Sequence, residues 1–415
     1  MNNHPAVIEA LLRDWKQTRD EPVCAYIHDL GRLRGHVAAV AGQLPPQCQL
    51  FYAMKANPAA PILETLAPLV HGIEVASLGE IEKVRAIGAS IPIIFGGPGK
   101  TDHEIAGAIA HGVRLIHVES LHELRRIGLI SQRLDRTVAI LLRVNLRGPF
   151  PVATLQMGGA TQFGIDEADV PAALAIALAE PTIRLEGFHF HSISNNLDPD
   201  AHADLVAYYI ERARAWAAEG RFPLRYINAG GGIGVNYADL DQQFDWPRFC
   251  DRLRRICADT LPAGATIIFE CGRYLAAACG FYAAEVLDVK RNHGKTYVIV
   301  RGGSHQFRLP VSWNHNHPFA VIAIDAWPYP FARPEVSAAP VAVVGQLCTP
   351  KDVLVREKEV ARLRAGDIVL FQYAGAYGWT ISHHEFLSHP HPAQIYLDGD
   401  AAAEPELALS GEERA

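Results

Sequence analysis

Short apolar runs rich in β-branched and aromatic residues alternate along the chain with segments whose apolar residues recur every three or four positions. The first pattern predicts buried strands and the second predicts helices, for example over 78–87, 121–130 and 205–216. Eight strands are predicted before residue 271, over 50–55, 73–77, 91–95, 115–119, 138–144, 185–191, 226–229 and 266–270. This alternation predicts a (β/α)8 TIM barrel, with a doubly wound open sheet as the alternative.

The pattern changes after residue 275 to short β-type runs separated by turns, over 282–289, 296–300, 341–344 and 368–372. These runs predict a second, β-sandwich-like domain, and a chain of 415 residues is long enough for two domains. The predicted boundaries are a barrel over 26–275, a β domain made of 1–25 plus 276–400, and a tail over 401–415. The tail is rich in Ala and Glu, which predicts little fixed structure.

Composition excludes several classes of protein. The formal net charge is −7 and no Lys/Arg-rich run occurs, which argues against nucleic acid or an anionic membrane as a partner. No apolar run is long enough to span a bilayer, and the N-terminus lacks the order of a signal peptide. The seven cysteines show no paired spacing, so we expect reduced thiols, no metal site and a cytoplasmic protein.

Lys55 ends the first predicted barrel strand, because Asn57-Pro58 stops the strand immediately afterwards. Most lysines at such a rim are solvated surface groups. An amine above an apolar strand is also partly desolvated, so that it loses its proton readily and can form a Schiff base. The segment alone leaves both interpretations open.

Polar residues and glycines follow the C-terminal ends of the other predicted strands, where TIM-barrel enzymes have their active sites. They are Ser77, Glu119, Arg143 with Asn145, His189 with His191, Asn228 before Gly230, Gly231 and Gly232, and Glu270 before Arg273. The three glycines leave backbone N–H groups free to approach an anion, and Ser194 adds a hydroxyl. Together they predict a phosphate-binding turn, and a tight turn that only needs glycine is the alternative.

Several motifs occur in a fixed order along the chain. They are Tyr52-Ala-Met-Lys55-Ala-Asn, Gly97-Pro-Gly-Lys100, Gln162-Phe-Gly164, His189-Phe-His191, Gly230-Gly-Gly232, Glu270-Cys-Gly-Arg273, Cys348 with Asp352, and Gly375-Ala-Tyr377. This set resembles the fold-type III pyridoxal-phosphate enzymes, and among them the diaminopimelate/ornithine/arginine decarboxylase branch. The resemblance covers residues 25–395 and implies a pyridoxal 5'-phosphate cofactor. It also implies a homodimer with shared active sites.

The resemblance implies a role for each matching residue. Lys55 matches the lysine that links covalently to the cofactor, His191 the imidazole that stacks on its ring, and Glu270 the acid at its pyridine nitrogen. The residues that match phosphate ligands are Ser194, Gly230, Gly231, Gly232, Arg273 and Tyr377. Cys348 matches the thiol that comes from the partner subunit and takes part in reprotonation.

Departures from the family pattern point to the substrate. Thr349 stands where relatives of the branch carry an acid that pairs with a distal ammonium, so we expect a substrate without a free distal amine. Arg308 and His305 would suit carboxylates, and Asp352 completes the predicted substrate-binding set. These features resemble the siderophore-biosynthesis subgroup that decarboxylates N-citryl-2,3-diaminopropionate to citryl-diaminoethane. Histidines 383, 384, 389 and 391 are expected to be surface or substrate-facing residues.

Three alternative functions agree with part of the sequence pattern. A diaminopimelate, lysine or ornithine decarboxylase keeps the chemistry, but Thr349 argues against it. An amino-acid racemase of the same fold needs a second base that the sequence does not place. A catalytically inactive regulatory homologue conflicts with the presence of Lys55, Glu270 and Cys348.

Overall fold

The computed structural model describes residues 5–148, 155–156, 159–399 and 401–402. The chain divides into a barrel unit, Arg34–Asn236 with Gln242–Leu275, and a β-rich unit, Met1–Leu33, Tyr237–Asp241 and Ala276–Ala415. Apart from 401–402, the predicted tail lies outside the described residues. Among the helices in the described ranges, none is long and apolar enough to cross a membrane.

The elements are numbered in chain order. The strands are β1 (Cys24–Asp29), β2 (Cys48–Ala53), β3 (Gly72–Val75), β4 (Ile93–Phe95), β5 (Leu115–Val118), β6 (Val138–Asn145), β7 (Leu155–Gln156), β8 (Ile165–Asp166), β9 (Ile183–His189), β10 (Ile193–Ser194), β11 (Tyr226–Asn228), β12 (Thr266–Cys271), β13 (Gly280–Asn292), β14 (Lys295–Val300), β15 (Phe319–Ile322), β16 (Glu335–Val344), β17 (Val353–Arg364), β18 (Ile368–Phe371), β19 (Ala393–Asp398) and β20 (Ala401–Ala402). The helices are α1 (Ala6–Thr18), α2 (Leu30–Gln43), α3 (Ala60–Leu66), α4 (Leu78–Ile87), α5 (Asp102–Ala110), α6 (Leu121–Arg133), α7 (Val170–Ala179), α8 (Pro199–Gly220), α9 (Trp246–Thr260), α10 (Arg273–Ala276) and α11 (Leu309–Trp313).

Eight parallel strands close into a barrel in the order β2, β3, β4, β5, β6, β9, β11 and β12, and β12 pairs with β2. The predicted TIM barrel is therefore confirmed, and the open sheet is excluded because the β5–β6 and β12–β2 pairings leave no edge. Each predicted strand corresponds to one of these eight. The barrel core includes Phe51, Ile94, Leu115, Leu141 and Ile268.

Helix starts around the barrel follow from local sequence. Ser77 accepts a hydrogen bond from the N–H of Glu80 at the start of α4, and Ser120 does the same for Glu123 at the start of α6. Thr101 and Glu104 form a complete capping box at α5. Because each cap follows a barrel strand closely, it fixes where the chain leaves the rim and turns into the outer helix layer.

The β-rich unit is one hydrogen-bonded sheet of nine strands in the described residues, not two separate sheets. The apolar face of α1 packs on it through Ile8, Leu12 and Trp15. Residues 26–33, which the sequence assigned to the barrel, belong here because β1 pairs with β13 and β19. Strand β17 was not predicted, because a run of four exposed residues interrupts its apolar pattern.

Candidate active site

Lys55 lies at the C-terminal rim of the barrel, in a single 3₁₀ turn (Met54–Ala56) that follows β2. Its Nζ is 3.3 Å from Oε2 of Glu74, and 48 % of its side chain is exposed. The predicted position at the end of the strand agrees with the structure. Of the two interpretations left open, the half-exposed side chain favours a solvated amine, which faces a buried carboxylate from β3. A Cβ on Gly272 would lie 3.0 Å from the Cβ of Ala56, so glycine lets the end of β12 approach this turn.

Glu270 is a buried acid near the end of β12. Its Oε1 accepts a hydrogen bond of 2.6 Å from Nδ2 of Asn228, and its Oε2 lies 3.5 Å from Nε2 of His189. Burial, reinforced by the neighbouring carboxylate of Glu74, raises the pKa of Glu270 to about 8. A carboxylate in this position is stabilised by a partner that brings a proton or a positive charge, as a pyridine nitrogen does.

His117 and His189 stack beneath this acid with ring centroids 3.9 Å apart. Both ring nitrogens of His189 lack a hydrogen-bond partner among the described residues. Burial holds the pKa of both imidazoles well below its ordinary value, so both rings are neutral. His117, His189 and Glu270 each offer one atom that can bind a metal, and these three atoms lie within 4.8 Å of one another. This arrangement could hold a metal ion. Sequence reasoning missed this cluster, because its members come from three separate strands.

The glycine turn after β11 is a backbone cradle in which a side chain has no room. A Cβ on Gly230 would lie 2.5 Å from the carbonyl oxygen of Phe190, one on Gly231 2.4 Å from that of Glu270, and one on Gly232 2.6 Å from that of Ile193. Gly230 and Gly232 also have φ of +67° and +91°. The tight-turn alternative and the anion-cradle interpretation both require glycine here, and the neighbouring residues decide between them.

Three residues predicted to bind the cofactor follow β9 and β12, the two strands that pair with β11. Nδ1 of His191, which is partly buried, accepts a hydrogen bond of 3.1 Å from the N–H of Gly231. Burial, with the charges of Arg143 and Lys55, holds the pKa of His191 well below its ordinary value, so the ring is neutral. Ser194 is in β10, on the segment whose Asn196 N–H bonds to the carbonyl of Gly232, and Arg273 is buried at the start of α10.

A buried ionic network holds the loops of the rim. Glu119 accepts hydrogen bonds from Nη1 of Arg143 at 2.7 Å, from the N–H of Gly97 at 3.0 Å and from the N–H of Gly164 at 3.1 Å. The Nζ of Lys100 donates to Oε1 of Glu123 at 2.6 Å and to the carbonyl of Gly97 at 2.7 Å. The motifs around Lys100 and Gly164 are therefore structural supports of the rim, because their polar atoms are satisfied by each other.

The remaining predicted residues lie in the β-rich unit. Cys348 is exposed on the loop between β16 and β17, with Thr349 beside it, and the other six cysteines are buried. Asp352 is buried, and its two oxygens accept hydrogen bonds from the N–H groups of Ser304 at 2.6 Å and Leu347 at 3.0 Å. Through these bonds Asp352 holds the cysteine loop, and its predicted substrate contact stays a prediction. Tyr377 lies in a bend with φ of +53°.

The predicted carboxylate-binding residues Arg308 and His305 differ in exposure. Arg308 is exposed, with its Nη1 3.5 Å from Nδ1 of His383. His305 is fully buried next to His389 and His383, at ring-centroid distances of 5.2 and 6.5 Å. Burial lowers the pKa of His305 to about 4. The predicted contact of His305 with a substrate carboxylate stays a prediction. In this structure the ring of His305 is neutral and covered, whereas His383 is partly exposed.

The barrel rim thus combines an amine, a buried acid, an imidazole and a turn of three glycines after neighbouring strands. These groups fit pyridoxal phosphate, and they define a barrel enzyme that uses this cofactor. Residues 30–277 match the protein family described as pyridoxal-dependent decarboxylase, pyridoxal binding domain. The chain belongs to this family, and the predicted cofactor and carboxy-lyase class are confirmed.

Individual relatives agree with this assignment. The chain is 52 % identical over 392 residues to the 2-[(L-alanin-3-ylcarbamoyl)methyl]-2-hydroxybutanedioate decarboxylase of Staphylococcus aureus, with 94 % of this chain and 98 % of the relative covered. It is 30 % identical to the L-glutamyl-[BtrI acyl-carrier protein] decarboxylase of Niallia circulans, with 89 % and 87 % covered. The structure of diaminopimelate decarboxylase from Helicobacter pylori complexed with L-lysine superposes with a TM-score of 0.82 at 26 % identity, covering 94 % of each chain. A racemase and an inactive homologue are not supported by these relatives.

Proposed function

We propose that this enzyme removes the α-carboxylate of N-citryl-2,3-diaminopropionate and forms citryl-diaminoethane for a carboxylate siderophore. The observation that carries the proposal is the 52 % identity to a decarboxylase whose substrate name describes a 2,3-diaminopropionate amidated by a citryl group. Thr349 supports it, because an uncharged residue after Cys348 offers no carboxylate to a distal ammonium. Free cysteines, six of them buried, support action in a reducing compartment such as the cytoplasm.

Bound pyridoxal phosphate supplies an electron sink for the electron pair that remains when CO₂ leaves. Lys55 would hold the cofactor through its Nζ. Glu270 would keep the pyridine nitrogen of the cofactor protonated, since a buried carboxylate strongly favours a cationic neighbour. The N–H groups of Gly230, Gly231 and Gly232, together with Arg273, Ser194 and Tyr377, would bind the phosphate. His191, which is neutral, would contact the cofactor ring.

Proton return is assigned to Cys348 of the partner subunit in a homodimer with shared active sites. The exposure of Cys348, in contrast to the six buried cysteines, supports this assignment. Asp352, at the end of the loop that carries Cys348, accepts a hydrogen bond from Leu347 near the start of the loop and another from Ser304 outside it, which fixes the loop in place. A thiol on a fixed, exposed loop can be presented to a second subunit without the cost of ordering a mobile segment.

The substrate proposal is tested with purified, cofactor-loaded protein and four separate substrates: citryl-diaminopropionate, diaminopimelate, lysine and ornithine. We expect kcat/KM for the citryl compound to exceed the other values by roughly 100-fold, because a buried ammonium without a carboxylate costs several kcal/mol. CO₂ release and product mass are measured. Thr349→Glu is expected to lower activity on the citryl compound and to raise it on a diamino acid, with Thr349→Ser as the matched control. Comparable turnover of diaminopimelate by the unmodified protein would contradict the proposal.

Arg308 is proposed to bind a carboxylate of the citryl group, with the partly exposed His383 beside it. Arg308→Met is expected to raise KM for citryl-diaminopropionate by roughly 10- to 100-fold with little change in kcat, because a hydrogen bond to a charged group contributes about 1.5–3 kcal/mol. Steady-state kinetics give both constants. Arg362→Met is the control, because Arg362 is an exposed arginine of the same unit that pairs with Glu335. An unchanged KM for Arg308→Met would remove Arg308 from the substrate site.

A further inference from the structure

We propose that Asn228 is a positioning residue that fixes both the acid at the ring nitrogen and the phosphate-binding turn through one side-chain amide. The sequence places Asn228 at a strand end but assigns it no role. The inference rests on the proposed roles of Glu270 and of the glycine turn. It assigns their relative position to a single residue that contacts neither the substrate nor the cofactor in our proposal.

The amide of Asn228 makes three hydrogen bonds, with both of its N–H donors and one lone pair of its oxygen in use. The side chain is fully buried at the end of β11. Its Oδ1 accepts a hydrogen bond of 2.8 Å from the N–H of Gly230, and a backbone N–H can only donate, so this contact fixes which end of the amide is the oxygen. The Nδ2 then points to Oε1 of Glu270 at 2.6 Å and to Nε2 of His117 at 3.1 Å.

These three bonds have separate consequences. The bond to Gly230 holds the first residue of the turn, whose φ of +67° opens the backbone cradle. The bond to Glu270 occupies Oε1 with a neutral donor, which leaves the other oxygen as acceptor for the ring nitrogen. The bond to His117 fills the lone pair of Nε2, so that this imidazole cannot take up a proton there and compete for Glu270, which lies 3.7 Å from it.

Replacing Asn228 by aspartate separates the effect of the bond to Gly230 from the effect of the bond to Glu270. The introduced carboxylate keeps an oxygen for the N–H of Gly230 and sets its second oxygen against Oε1 of Glu270. Two carboxylates at this distance share one proton, and the protonated acid then replaces the amide as the donor. When the pH rises, the shared proton is lost and the two charges repel. The other groups that face Glu270 are His117 from β5, His189 from β9, Glu74 from β3, Lys55 from the turn after β2 and Arg143 from β6. The variant removes the amide donor to Nε2 of His117 and changes none of the other contacts.

The test compares Asn228→Asp, Asn228→Leu and the unmodified protein across about pH 6 to 9. Cofactor affinity is measured by equilibrium dialysis and by the visible absorbance of the lysine-linked cofactor, and folding is checked by the melting temperature of the cofactor-free protein. For Asn228→Asp we expect near-normal cofactor affinity and a near-normal spectrum at the lowest pH. At the highest pH we expect its cofactor affinity to fall by roughly tenfold or more. Asn228→Leu, which removes both donors and the acceptor, is expected to bind the cofactor at least about tenfold more weakly at every pH. Asn236→Asp, at another asparagine in the barrel unit, is the control and should show no such pH dependence.

Two results would overturn the inference: normal cofactor binding by both Asn228 variants at all pH values, or an equal loss at all pH values in Asn228→Asp. The second result would indicate a role in folding only. If Asn228→Asp does not fold, normal cofactor affinity in Asn228→Leu still refutes the inference. Glu270→Gln separates the inference from the proposed function. If Glu270→Gln retains normal activity, the role of the acid is wrong. If it loses activity while the Asn228 variants behave normally, only the inference is wrong.

Discussion

Replacing Lys55 by alanine is expected to abolish both the visible absorbance of the lysine-linked cofactor and the release of CO₂. The barrel rim offers Nζ of Lys55 at the end of β2, facing the acid pair Glu74 and Glu270. Lys100, another lysine of the rim, is buried and bonded to Glu123 and two carbonyls, so it is not placed to substitute. Loss of a covalently acting side chain lowers kcat by roughly 10⁴-fold or more. Absorbance spectra and CO₂ release under saturating substrate measure the two losses.

The control for this prediction is Lys83→Ala, an exposed lysine on α4 that is expected to leave both properties unchanged. The covalent link is located independently by reduction of the loaded protein with borohydride followed by peptide mass analysis. A reduced cofactor found on a lysine other than Lys55 would refute the assignment of the site.

Mixing two inactive variants, Lys55→Ala and Cys348→Ala, is expected to restore activity if the active sites are shared between subunits. In a mixed dimer, the barrel of the Cys348→Ala chain keeps Lys55 and receives the intact Cys348 of the partner. Half of the randomly assorted dimers are mixed and each has one complete site, so about a quarter of the sites should be active. CO₂ release is followed during subunit exchange, and heterodimer formation is verified with two affinity tags.

The matched control mixes Lys55→Ala with Glu270→Gln. Both changes lie in the barrel unit, so each mixed dimer carries one defect in each barrel and should remain inactive. Recovery in the first mixture and none in the second supports the shared site. If verified mixed dimers of Lys55→Ala and Cys348→Ala stay inactive, Cys348 acts within its own subunit or not at all.

Much of the barrel is predictable from the sequence, because its eight strands are local apolar runs buried on both sides and its outer helices start at local caps. The triple glycine is equally local. A Cβ at any of its three positions would clash with a carbonyl oxygen, so the three glycines by themselves indicate a turn without room for a side chain. By contrast, β17 escaped prediction because four consecutive exposed residues interrupt its apolar pattern, and the strand forms by pairing with β16, the strand that precedes it.

Only the tertiary structure decides how these residues act on one another. Sequence placed Lys55 and Glu270 at strand ends, but not Glu74 beside them. Burial, together with the Glu74 carboxylate, raises the pKa of Glu270, and the same carboxylate accepts a hydrogen bond from the amine of Lys55. Sequence also placed His305 in a polar segment that suits carboxylates, whereas packing against His389 buries the ring and keeps it neutral. Burial and electrostatic coupling depend on which strands are neighbours in space. Spacing along the chain therefore predicts most of the strands and helices and the glycines that the backbone requires. The charge states of the titratable side chains depend on which strands and loops pack together in space.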